Sequence, residues 1–128
     1  MKRWRWVRED VFFAIHEHQL AEHGGPERVR DAGALESALV RPRNLAAYER
    51  PDAAALAAAY AYGLARNHPF ASGNKRTAWV VARVFLAINR RQLDFDSHEA
   101  VRMIEALAAG TLSESELATW LRQGLVKR

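Results

Sequence analysis

From Asp52 to Asn67 the chain reads Asp-Ala-Ala-Ala-Leu-Ala-Ala-Ala-Tyr-Ala-Tyr-Gly-Leu-Ala-Arg-Asn, and this stretch constrains the fold more than any other. Leu56, Tyr60 and Leu64 recur every four residues and so share one helical face. Asp52 supplies an N-cap oxygen, and alanine has the best helix propensity with almost no side chain. Other helices can therefore approach its remaining faces closely. The pattern predicts a helix over Ala53 to Asn67 at the centre of an all-α core.

The flanking segments fit that class. A first helix is predicted from about Glu9 to His23, with Phe12, Ile15 and Gln19 on one stripe and Val11, Ile15 and His18 on the next, ended by Gly24-Gly25-Pro26. Asp31 caps a second helix carrying Leu35, Ala38 and Leu39. It should stop near Arg41, because Pro42 disfavours helical geometry in the residue before it, with a short helical turn to follow at Asn44 to Tyr48. Lys75 to Asn89 is apolar on nearly every side, which predicts a buried helix. Asp96 with Glu99 and Ser113 with Glu116 have capping-box spacing, opening helices that should bury Val101, Ile104 and Leu107, then Leu117, Trp120 and Leu121. Only Trp4 to Trp6 and Leu93-Asp94-Phe95 have a strand-like look. The expectation is a compact bundle of about six to seven helices forming a single domain over residues 1–128, with room for one minor short strand pair.

Composition narrows the function classes. The absence of cysteine rules out disulfides, thiolate metal sites and cysteine nucleophiles, and is compatible with a reducing cytosol. Met1-Lys2-Arg3 has the charge of a leader, but Arg8, Glu9 and Asp10 arrive before an apolar stretch can form. No apolar run reaches the roughly 20 residues of a membrane span, so a cytoplasmic protein without a membrane partner is expected. The net charge of +4 raises the question of nucleic acid. However, Arg28, Arg30, Arg41, Arg43, Arg90 and Arg91 are dispersed among acids and apolar residues, which argues for a solvated surface and against direct nucleic-acid binding. His16-Glu17 opens like a His-Glu-x-x-His zinc motif, but position 20 is Leu20, and His16 and His18 point to different sides of a helix. Arg83 falls on the same face as Arg76, seven residues on, and is equally open to pairing with a buried acid.

Chemistry concentrates in His68-Pro69-Phe70-Ala71-Ser72-Gly73-Asn74-Lys75-Arg76-Thr77. Pro69 takes His68 out of helical geometry and leaves it on a loop, Phe70 should anchor that loop in the core, Gly73 allows a tight bend, and Asn74 is a good N-cap. The next helix then opens with Lys75 and Arg76, although the positive end of a helix dipole disfavours cations by about 0.3–1 kcal/mol each. A bound phosphate would offset that cost, held by helix-start amides, by two parallel bonds from Arg76 and by the point charge of Lys75.

These residues resemble the Fic/Doc family motif, His-x-Phe-x-Asp/Glu-Gly-Asn-Gly/Lys-Arg, in the form with lysine that is typical of death-on-curing (Doc) toxins. His68, Phe70, Gly73, Asn74, Lys75, Arg76 and Thr77-Ala78 are in register. Similarity in the same order extends through Asp10-Val11, Ile15-His16-Glu17, His23-Gly24-Gly25, Asp31 to Arg41-Pro42, and Ala58 to Ala65. The resemblance implies the Fic/Doc fold, with His68 as general base toward a hydroxyl of a protein target, Gly73 and Asn74 as phosphate cradle, and Lys75 and Arg76 neutralising the transferring phosphoryl group. It implies ATP as substrate, elongation factor Tu as the known type of target, and a small antitoxin as partner. The second arginine of AMP-transferring members is replaced by Trp79, which favours phosphate over AMP transfer. The acidic position that would hold Mg²⁺ is Ser72, a weaker partner for a hard cation, though a hydroxyl can serve where phosphates supply the charge. A Fic-fold binding module with impaired catalysis is the alternative to an active kinase.

Overall fold

The computed structural model describes residues 3–25 and 29–126. Six helices follow in order: α1 (Glu9–His23), α2 (Ala32–Tyr48), α3 (Ala53–Asn67), α4 (Asn74–Ile88), α5 (Ser97–Ala109) and α6 (Glu114–Gly124). The protein is all-α, and its bridges among the described residues are two isolated antiparallel pairs, Val29 with Phe70 and Leu93 with Leu125. The minor strand pair for which the Trp4 and Leu93 regions left room is not formed between them. The backbone of Arg5 is bonded instead by the Asn89 side chain, whose Oδ1 accepts from Arg5 N–H at 2.9 Å and whose Nδ2 donates to the Arg5 carbonyl at 2.9 Å.

α3 is the central helix, as its sequence predicts. It packs against α2, α4, α5 and α6, and Ala54, Ala57, Ala58, Ala61 and Ala65 are fully buried around it. α2 approaches closely at Gly63, where a Cβ would stand 3.0 Å from Ala38 Cα, so that any larger residue would require the two helices to ease apart by a few tenths of an ångström. Asp52 caps α3 by accepting from Ala55 N–H and also receives Arg122 of α6 at 2.5 Å, which ties the start of the central helix to the last one. That guanidinium holds the Asp52 carboxyl below its ordinary pKa.

Four sequence expectations need correction. α2 does not stop near Arg41: it continues through Pro42, and the turn expected at Asn44 to Tyr48 is its last turn. Interior proline costs a helix about 3 kcal/mol. Leu35, Ala38 and Pro42 are buried, however, and Leu39, Leu45 and Ala46 pack on the same core, so continuing the helix covers more apolar surface than ending it. The buried stripe of α1 is Phe12, His16 and Leu20, with a histidine where apolar periodicity looked for Ile15; Val11 is exposed. α4 is buried along one side, while Trp79, Val80, Arg83 and Val84 are half-buried and Ile88 is 37% exposed. Val101, expected inside, is 58% exposed, because α5 turns it toward the opening described below.

Of the two capping boxes, Ser113 with Glu116 is complete. Asp96 accepts from Glu99 N–H, but the Glu99 carboxylate accepts instead from the Trp120 indole N–H. Gly24 ends α1, and Pro26 lies outside the described residues. No helix among the described residues is long and apolar enough to cross a membrane.

Candidate active site

The loop joining α3 to α4 is fixed from three directions. From above, the Pro69 carbonyl accepts from Arg30 N–H at 2.7 Å and from Asp31 N–H at 3.1 Å. From within, the Asn74 amide grips Phe70, its Oδ1 accepting from Phe70 N–H and its Nδ2 donating to the Phe70 carbonyl, both at 3.0 Å. From below, His16 lies flat on the Phe70 ring with centroids 3.5 Å apart and meets the Ser72 carbonyl at 3.0 Å through Nε2. A carbonyl only accepts, so Nε2 must carry the proton and donate. The Phe70 ring also stacks on Phe12 and meets Phe13 edge-on, so the loop is anchored in the core as expected.

This frame holds His68 in a conformation it would not choose alone. It is the C-cap of α3 at φ 48°, ψ 55°, left-handed and exposed. A non-glycine residue there is strained, and it persists because Pro69 and Phe70, both buried, leave the chain no alternative. The imidazole is thereby displayed to solvent on a rigid support.

Beyond the loop, Gly73 rather than Asn74 is the cap residue of α4. It is left-handed at φ 77°, and Asn74 is the first helical residue. Asn74 was expected to cap with its side chain; that amide is fully engaged at Phe70, so its task is to clamp the loop. The first N–H to close a bond at this helix start is that of Thr77, to the Gly73 carbonyl at 2.9 Å. Those of Asn74, Lys75 and Arg76 remain unpaired within the helix. The Lys75 and Arg76 side chains are exposed and carry no ion pair among the described residues.

Gly73, Asn74, Lys75 and Arg76 form one wall of a cavity of about 300 Å³. Trp79 continues that wall, and α5 supplies the other through Val101, Ile104 and Glu105. Three free amides and two free cations at one end suit an anion such as phosphate, and the remainder, apolar apart from Glu105, suits an organic group. His68 is not among the lining residues; it stands at the far end of the loop.

Ser72 lies apart from this opening. Its Oγ is buried without a hydrogen-bond partner among the described residues, and a Cβ added at Gly25 would fall 2.3 Å from it. A hydroxyl turned inward in this way would have to be uncovered before it could serve a cation. The described residues hold no group of three or more histidines or acids that could bind a metal by themselves.

His16 is the site residue that motif reading passes over. Its signal was present in the sequence, since the position falls between Phe12 and Leu20 at four-residue spacing. His16→Phe preserves the stacking surface and removes the donor to Ser72. It should cost about 1–3 kcal/mol in thermal unfolding, and full stability in that variant would mean that the hydrogen bond does not hold the loop.

The model of the Fic/DOC family matches residues 6–86. The chain is similar to "Protein kinase doc" of Escherichia phage P1, 33% identical over 120 residues that cover 93% of this chain and 94% of that one. It is also similar to "Toxin Doc" of Mycolicibacterium smegmatis (strain ATCC 700084 / mc(2)155), 44% identical over 107 residues that cover 79% and 78% of the two chains.

Proposed function

The chain belongs to the Fic/DOC family, and from that premise we propose that it is a Doc-type toxin that moves the terminal phosphate of ATP onto a hydroxyl of a protein target, with elongation factor Tu as the first candidate. One observation carries the reading: unpaired amides of Asn74 to Arg76 and unpaired Lys75 and Arg76 side chains converge on a cavity beside the loop that displays His68. The names of the two relatives, a protein kinase and a toxin, support it.

In this reaction His68 accepts the proton of the target hydroxyl as its oxygen forms a bond to the terminal phosphorus. The bond from that phosphorus to the bridging oxygen breaks, and ADP leaves. Negative charge spreads over the transferring oxygens and is met by Lys75, Arg76 and the helix-start amides, which are already oriented and need no rearrangement. The apolar walls at Trp79, Val101 and Ile104 receive the rest of the nucleotide. A protein of this kind is held in check by an antitoxin, which is the partner we propose. Transfer of label from the terminal phosphate of ATP to elongation factor Tu supports the reading; label passing only from the α-phosphate replaces it with AMP transfer.

The buried, unpaired Ser72 hydroxyl favours a second reading, a nucleotide- and antitoxin-binding module with impaired catalysis. Ser72→Asp separates the two. An unpaired carboxylate left in that enclosure costs several kcal/mol, so the aspartate should turn to the open side of the loop and add a ligand for Mg²⁺. Under the kinase reading the variant binds ATP more tightly when Mg²⁺ is present and transfers phosphate faster than its parent. Under the module reading binding tightens and no label reaches the target.

A further inference from the structure

A second groove, of about 530 Å³, opens two turns further along α4 and is lined by Arg83, Arg90 and Arg91 together with Leu86, Leu93 and Phe95. Among the described residues no acidic side chain lines it. The acids beside it, Asp94 and Glu99, line a separate depression, where Glu99 already accepts from Trp120. The groove thus combines three arginines with an apolar surface.

Its arginines are held in place without being neutralised. The Arg83 guanidinium lies 5.3 Å from the Trp79 ring centre and 5.5 Å from that of Phe95, and its Nε is buried with no hydrogen-bond partner. Among the described residues no buried acid pairs with it, so the structural ion pair that its sequence position left open is not formed there. Arg90 sits at φ 60°, where glycine would be relaxed, so the backbone carries strain that a side chain with no internal partner does not relieve. Arg91 is partly occupied, lying over Trp4 and donating to the Asn89 carbonyl. Neither Arg83 nor Arg90 has a carboxylate within salt-bridge reach among the described residues.

We propose that this groove receives an acidic segment of a protein partner, whose carboxylates meet Arg83 and Arg90 while its apolar side chains lie on Leu93 and Phe95. Charge complementarity selects the occupant, and the planar guanidinium of Arg83, already oriented by two rings, is suited to bidentate capture of a carboxylate. Nucleic acid fits less well. Even a single nucleic-acid-reading module buries about 600–1,000 Å² of protein surface and is dominated by positive charge, whereas three arginines share this short groove with apolar residues. The inference does not depend on catalysis, since it concerns binding away from the cavity at the helix start.

Fluorescence polarisation with the full chain tests it. The probe is a short labelled peptide with glutamate and leucine at helical spacing, and unlabelled oligothymidine is the competitor. Arg83→Gln should weaken peptide binding about tenfold and Arg90→Gly about threefold, while Arg102→Gln, which removes an exposed charge from α5, should leave it unchanged. Arg90→Gly is on an exposed turn that favours glycine, so it serves as the test even where Arg83→Gln fails to fold. Equal affinity in Arg90→Gly and the parent overturns the proposal. So does equal weakening by Arg102→Gln, which would mean net charge alone, or displacement of the peptide by oligothymidine, which would mean a nucleic-acid surface.

Discussion

Replacing His68 by alanine should lower phosphate transfer by about 10²–10⁴-fold, the usual contribution of a general base, while changing stability by less than about 0.5 kcal/mol. The two effects separate because His68 is exposed and holds its place through the backbone: the loop is fixed at Pro69, Phe70 and Ser72, and none of those bonds involves the imidazole. His68→Gly sharpens the test. A left-handed residue with a Cβ is disfavoured by about 1–2 kcal/mol, so glycine should melt no lower than the parent and still be inactive. In cells, either variant should abolish growth arrest caused by the active chain. Transfer at the parental rate in both would remove His68 from the mechanism and leave its strained backbone unexplained.

Phe70→Ala should act in the opposite way, through stability first. Its ring is 2% exposed, lies on His16 and Phe12 and meets Phe13 edge-on. Truncation of such a ring costs about 3–5 kcal/mol, which for a domain of this size lowers the melting temperature by roughly 10–20 °C. Activity should fall even well below the melting point, because His16 loses the surface on which it rests and with it the geometry of its bond to Ser72. Thermal unfolding followed by circular dichroism measures the first effect. An unchanged melting temperature would mean that the aromatic cluster does not anchor the loop, and that Asn74 and the Pro69 carbonyl hold it without help.

Much of this molecule was decided by local sequence. The alanine run with Leu56, Tyr60 and Leu64 specified a central helix, because small side chains at helical spacing have no other way to bury so much backbone. Asp31, Asp52, Asp96 and Ser113 fixed four helix starts, since a cap depends only on a side-chain oxygen three residues before an N–H. The order His68-Pro69-Phe70 was enough to place a histidine on a loop and an aromatic ring in the core. Tertiary structure decided the rest. α2 runs through Pro42 because neighbouring helices repay the lost bond, a balance that no local preference contains. Asn74 is a clamp instead of a cap because Phe70 folds back to within reach of its amide. Ser72 is enclosed by Gly25, and His16 supports the loop from 56 residues away; both relations exist only once α1 has packed beneath the motif. Local rules act over three or four residues, whereas the placement of a charge, a cavity or an unpaired hydroxyl depends on which distant surfaces meet.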